Sequence, residues 1–211
     1  SENGACATLS TVHTYGYGTG TVDKRYACNL YSDTVRVNGE IVRLENGDPL
    51  VYMPLAVEVN LTNSPYVKTA GARMAKYEVD PNAYNDGKSP DNDIVLFRYA
   101  DVLLMKAEAE VRNGENGDAE MNAVRSRSGM GYRPATLGNI LAERLMELMW
   151  EGWRRNDLIR FDRFHRSYDQ RTAPATEADR HTIVFPIPAR VVDLNGKLVQ
   201  NKGYEARPKS K

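Results

Sequence analysis

The chain has 211 residues, 41% of them hydrophobic and 27% charged, with 28 Lys plus Arg against 28 Asp plus Glu. These are globular proportions, and the length suits one large domain or two small ones with a real core. A balanced charge argues against a dedicated nucleic-acid binder and against attraction to an anionic membrane surface, both of which carry a basic excess.

The opening "SENGACATLS" has no basic region ahead of an apolar run, and no stretch approaches about 18 consecutive apolar residues. Neither a signal peptide nor a membrane-spanning helix is expected from these residues. Cys6 follows "NGA" and lacks the apolar lead of a lipid-attachment cysteine. Cys6 and Cys28 are the only cysteines. In an oxidising compartment they could close a loop worth roughly 3 kcal/mol, and otherwise they are two separate buried thiols; the pattern alone favours neither.

Residues 1–90 lack helical periodicity and are rich in Gly, Asn, Thr, Tyr and Pro, as in "HTYGYGTGTVDKRY". "TVRV" and "EIVRL" flank Asn38-Gly39, a strong signal for a tight hairpin. Asn46 to Pro49 reads as a further turn. This part is expected to be loops with a few short strands, and loop segments of such length are often functional.

Residues 91–211 are mainly helical by pattern. Asn92 or Asp93 can cap a helix through "IVLFRYADVLLMKAEAEVRNG", with Leu96, Ala100, Leu103, Leu104, Ala107 and Val111 on one face. Gly114 stops it, and Asp118 opens a shorter helix that Gly129 ends, giving an αα-hairpin. A third helix runs from near Thr136 to Glu151, and a fourth continues through Arg160 to about Phe164. Residues 170–182 read as a polar, mobile loop, "TIVFPIP" as extended because of its prolines, and Arg190 to Leu194 as a short helix.

The third helix carries the chemical question. Leu137, Ile140, Leu141, Leu145, Leu148 and Met149 cover one broad face, and Met146 and Trp150 lie opposite. A helix apolar on two sides is buried on two sides. Glu143, Glu147 and Glu151 form the stripe between, with Arg144 inside the apolar face. Buried carboxylates need partners. Arg154, Arg155, Arg160 and Arg163 follow in sequence, and Arg98, Arg125 and Arg127 lie on the hairpin. A structural ion network of Glu143, Arg144, Glu147, Glu151, Arg154, Asp157 and Arg160 is therefore expected. The catalytic and metal readings lack parts. There is no Glu-x-x-His pair for a di-iron bundle, and His13, His165 and His181 are too scattered for zinc. A row on one helix is not the facing carboxylate pair of a glycosidase. No catalytic residue, metal or cofactor is expected.

Four motifs, in order, resemble the C-terminal region of the SusD/RagB family of Bacteroidetes nutrient-binding proteins. They are "FRYADVLLMKAEA" (Phe97 to Ala109), "NAVRSRSGM" (Asn122 to Met130), "ILAERLMELMWEGWRRNDLIR" (Ile140 to Arg160), and "FPIP" with "QNKGY" (Phe185 to Pro188, Gln200 to Tyr204). The match is strong from Tyr77 to Tyr204. Before that only "DKR" (Asp23 to Arg25) resembles the family, as an Asp-x-Arg turn. Lys202 stands where the family's last motif has proline, and Ser128 where it has alanine.

The resemblance implies a mainly α fold: a SusD-like scaffold of tetratricopeptide-like hairpins with long irregular loops and a few short strands. It implies that the chain is a fragment of a longer, lipid-anchored protein on the extracellular face of the outer membrane. The implied function is non-enzymatic: capture of glycan, or in some members peptide, for a TonB-dependent transporter of the SusC type. Sugar capture needs aromatic faces and planar hydrogen-bonding groups, and the N-terminal loops offer His13, Tyr15, Tyr17, Tyr26 and Tyr31, with Asn29 and Asp33 nearby. The competing reading of those tyrosines is packing on the scaffold, as it is for Trp150 and Trp153. Alternatives for the whole are a helical protein-binding adaptor and, further off, a glycoside hydrolase.

Overall fold

The computed structural model describes residues 5–58, 60–77, 80, 91–169, 171–172 and 177–204. The remaining parts of the expected loops, residues 81–90, 170 and 173–176 among them, lie outside the described residues. The chain forms two compact units, residues 1–157 and 158–211.

In the first unit the regular structure is mainly helical. Helices α1 (Leu9–Thr14) and α2 (Tyr26–Asn29) come first. Three two-stranded antiparallel ribbons follow: β1 (Leu30–Tyr31) with β6 (Arg73–Met74), β2 (Asp33–Thr34) with β5 (Val51–Tyr52), and β3 (Arg36–Val37) with β4 (Glu40–Ile41). Asn38 and Gly39 both have positive φ, which gives the β3–β4 hairpin the tight turn expected of Asn-Gly. The two short helices are a correction to the loop-and-strand expectation. At six and four residues they are too short to show a 3.6 period, and only Thr8 signals the first, its hydroxyl accepting from Thr11 N at 3.4 Å.

The scaffold is the hairpin of α3 (Tyr99–Arg112) and α4 (Asp118–Arg127), with α5 (Leu137–Glu147) packed against it. Leu104, Ala107, Met121, Val124 and Ile140 form the buried seam. Gly114 turns the chain at φ +80, as a helix C-cap requires. Thr136 caps α5, its hydroxyl accepting from Asn139 N at 3.2 Å.

Two helix boundaries depart from expectation. α3 begins at Tyr99, not after Asn92, and Leu96 lies exposed before it. The backbone of Arg98 is extended (φ −147, ψ 161), as is usual at a helix N-cap, and its side chain meets two glutamates. α5 ends at Glu147, four residues before Glu151. There Trp150 adopts φ +67, sparsely populated for an aromatic residue, and its indole N–H donates to Asn29 O at 2.9 Å. Helix α6 (Arg154–Arg160) follows.

The second unit holds a 3₁₀ turn, His181–Ile183, and α7 (Ala189–Leu194). Its two sequence motifs pair with each other. Gln200 Oε1 accepts from Ile187 N, and Gln200 Nε2 donates to Ile187 O, both at 2.8 Å. Asn201 Nδ2 donates to Phe185 O at 2.8 Å, and Tyr204 O–H to Val184 O at 3.0 Å. These prolines interrupt backbone donors, so side-chain amides take the place of a strand ladder. Among the described residues no helix is long and apolar enough to cross a membrane.

Candidate functional site

The glutamate stripe is buried and surrounded by cations. Glu143 Oε1 lies 2.6 Å from Arg25 Nη1, and its Oε2 lies 2.8 Å from Arg125 Nη1. Glu147 Oε1 accepts from Arg98 and Arg127, each at 2.6 Å, and its Oε2 from Arg25 at 2.9 Å. Glu151 accepts from Arg98 Nε at 2.8 Å and pairs with Lys76. Arg25 is held by Asp23 in a two-bonded fork, at 2.9 and 2.8 Å. A second knot joins α3, α5 and α6: Arg144 donates Nη1 to Asp101 at 2.7 Å and Nε to Asp157 at 2.8 Å, with all three side chains buried.

Burial pushes the Glu147 carboxyl up, but the hydrogen bonds from Arg98 and Arg25 outweigh it and hold it below the usual carboxylate range. Asp23 behaves likewise through Arg25. Glu147, bonded to three arginines, and Asp23, gripped by Arg25, are suited to locking elements together rather than to moving protons. Among the described residues no group of three His, Cys, Asp or Glu could hold a metal.

Of the expected network, Glu143, Arg144, Glu147, Glu151 and Asp157 therefore sit in these two knots. Arg154 donates to Leu141 O at 3.1 Å. Arg160 falls in the second unit, its guanidinium 5.4 Å from the Phe161 ring. Asp23, Arg25, Lys76 and Asp101 were missed as members. The "DKR" resemblance marked the first pair, whereas Lys76 carries no local signal.

The expected ligand-contacting aromatics divide. Tyr15 and Tyr26 are core residues, 1% and 6% exposed, which corrects their assignment to a binding surface. Tyr15 O–H donates to Met146 O at 2.9 Å and accepts from Asn29 Nδ2 at 2.8 Å, so it fastens the N-terminal loops to the end of α5. Burial raises its pKa well above that of a free tyrosine and lifts Tyr26 to about 12. Cys6 and Cys28 are free thiols.

His13 is exposed, and Tyr17 and Tyr31 are half-buried. Tyr17 stacks on Tyr26 at 5.0 Å and donates to Asp33 Oδ1 at 3.2 Å. Asp33 pairs in register with Tyr52, and Tyr52 meets Tyr31 edge-on at 6.2 Å with the Arg73 guanidinium 5.1 Å from its ring. Tyr17, Asp33, Tyr52 and Tyr31 thus make one connected surface carrying both rings and polar groups. Tyr52 and Arg73 were missed by sequence reasoning because ribbon pairing, not proximity along the chain, brings them in.

Beside the glutamates a cavity of about 490 Å³ opens among Lys24, Lys76, Tyr77, Arg98, Arg127 and Glu147.

Comparison with known proteins agrees with the helical motifs. Residues 22–204 match the family model described as SusD family. The chain is 31% identical over 150 residues to "Starch-binding protein SusD" of Bacteroides thetaiotaomicron, covering 65% of this chain and 27% of that protein. It is 32% identical over 130 residues to "SusD-like protein P38" of Formosa agariphila, covering 54% and 25%. Among solved structures, surface glycan-binding protein A from Bacteroides thetaiotaomicron aligns with a TM-score of 0.51 at 28% identity, over 63% of this chain and 30% of that one. NanU of B. fragilis aligns at 0.57 and 25%, over 92% and 39%. This chain spans about a quarter of the length of the curated relatives. With the motif-bearing helices, their hairpin and the paired terminal motifs all inside the matched region, the chain belongs to the SusD family.

Proposed function

We propose that this chain is part of a non-enzymatic cell-surface protein that captures oligosaccharide and presents it to a TonB-dependent transporter of the SusC type at the outer membrane. The observation that carries the reading is the identity to a starch-binding protein, supported by the likeness to a surface glycan-binding protein. The Tyr17–Asp33–Tyr52–Tyr31 surface is the part that suits a sugar. A pyranose lays its apolar face on an aromatic ring, and Asp33 and Arg73 reach its hydroxyls. The buried carboxylates are already paired with arginines and act as scaffold, which suits them poorly to acid–base chemistry.

Calorimetric titration with malto-oligosaccharide and a panel of plant and host glycans tests this. Tyr31→Ala and Tyr52→Ala should each weaken binding by about 1–3 kcal/mol, by analogy with stacking of bases on aromatic rings, with no product released from any glycan. Unchanged affinity in both variants, with the fold intact, removes this surface as the site. A second reading, a protein-binding helical surface, draws on the exposed apolar run Ile94, Leu96, Phe97, Tyr99 and Val102. Co-purification of the transporter from the cell envelope, lost in Phe97→Ser with Tyr99→Ser, checks it.

A further inference from the structure

We propose that the cavity beside Glu147 is a second binding site, one that takes the carboxylate of an acidic sugar such as a hexuronate. The proposal rests on the glycan reading for the sugar, and on charge for the anion.

The charge balance around the cavity is uneven. Lys24, Arg25, Lys76, Arg98, Arg125 and Arg127 meet only four carboxylates, Asp23, Glu143, Glu147 and Glu151, among the described residues. The deep cations are fully engaged. Arg98 spends Nε, Nη1 and Nη2 on Glu147 and Glu151, and Arg25 is held by Asp23 and both of the first two glutamates. The surplus therefore falls on Lys24 and Arg127.

Lys24 pairs with no carboxylate among the described residues. Its side chain lies over Gly129, where an added Cβ would come within 2.9 Å of its ammonium nitrogen. That places it at the C-terminal end of α4, whose carbonyls carry only about half a negative charge. Arg127 gives Nη2 to Glu147 Oε1, an oxygen that already accepts from Arg98, and its side chain is 64% exposed. A guanidinium with donors to spare, lining the same cavity as an ammonium without a carboxylate partner among the described residues, matches the two oxygens of a carboxylate.

The cavity's volume of about 490 Å³ falls in the range of small-ligand sites, about 300–1,000 Å³. Half-buried Tyr77 on its wall offers a ring face to the sugar. Arg25, Lys76, Arg98, Arg127, Glu147 and Glu151 on its walls also belong to the ion network that holds the helices. This site is distinct from the tyrosine surface, which has no comparable cationic surplus.

Calorimetry at low ionic strength with galacturonic acid, galactose and inorganic sulfate tests the assignment on the full chain. Galacturonic acid should bind saturably and more tightly than galactose. Lys24→Gln and Arg127→Gln should each weaken it roughly tenfold or more, as loss of a hydrogen bond to a charged group implies, while thermal melts show the fold retained. Malto-oligosaccharide affinity should not change in either variant, which separates this site from the tyrosine surface. Galactose binding as well as galacturonic acid overturns the proposal. So does sulfate binding as well as the uronate, which would make the cavity a plain anion site. Unchanged affinity in the double variant, or in Lys24→Glu, has the same effect.

Discussion

At the scale of single residues, the carboxylates on α5 are judged by what their loss would leave behind. Glu147→Gln strips charge from a buried oxygen pair contacted by three arginines. Asp157→Asn does the same to Arg144, which is itself buried. Each should cost roughly 3–5 kcal/mol, because the stranded partner keeps its desolvation penalty; chemical denaturation of the two variants measures it. Their pH dependence follows from the lowered carboxyl values of Glu147 and Asp23. A folded pKa below the unfolded one adds stability that is fully present above the unfolded values, about 4–4.5, and is lost as pH falls through the folded ones. Melting temperature should therefore drop on the acid side of about pH 4, and Glu147→Gln should show a shallower fall there than the parent protein. An identical acid limb would mean that Glu147 is not one of the titrating groups. The glutamates were legible because three acids at four-residue spacing between two apolar faces have few other uses. Their partners Arg25 and Lys76 were not, since they lie 122 and 75 residues away from Glu147 and Glu151 respectively. Tyr15 and Tyr26 misled for a related reason: glycine-rich surroundings resemble an exposed loop, yet Asn29 and the Met146 carbonyl supply the polar partners that let Tyr15 go inside.

At the scale of elements, the α3–α4 hairpin depends on a close approach that a propensity reading cannot see. A Cβ on Gly117 would stand 2.6 Å from the Ala107 carbonyl oxygen. Gly117 has an ordinary φ of −95, so the demand for glycine is one of space alone. Gly117→Ala should destabilise by about 1–3 kcal/mol through overpacking, visible as a lower denaturant midpoint with an unchanged slope. Stability at the parent level would show that the hairpin can open without loss. Gln200→Ala tests the second unit. It removes both side-chain bonds to Ile187 and leaves that backbone N–H and C=O without their partner, so amide exchange at Ile187 should accelerate. The existence and order of α3, α4 and α5 were readable from apolar spacing and from Gly114, Asp118 and Thr136. The ends of α3 and α5 were not, because Arg98 and Trp150 leave helical geometry and their contacts are distant in sequence.

At the scale of the whole molecule, the equal counts of acidic and basic residues imply weak colloidal repulsion near neutral pH. Light scattering of concentrated protein should show most self-association near pH 7 and less on either side. A monotonic trend would point to specific contacts between copies. Family membership was legible at this scale because four motifs fall in one order. The tyrosine surface was not, since Tyr17 and Tyr31 become neighbours of Tyr52 only through two ribbons of two residues each, too short for a period-2 pattern.

The Arg144 knot has a further consequence for how such a chain can change over generations. Asp101, Arg144 and Asp157 belong to three helices; altering Arg144 takes a buried partner from both aspartates, and altering either aspartate leaves the buried arginine with one. Drift at these positions must pass through an unstable intermediate, or replace the whole knot by apolar residues in concert. The ribbon loops carry no such lock, and their tyrosines can be exchanged one at a time. Sequence signatures of this kind therefore preserve a record of helix docking, while the ribbon loops are free to diverge where no signature accumulates.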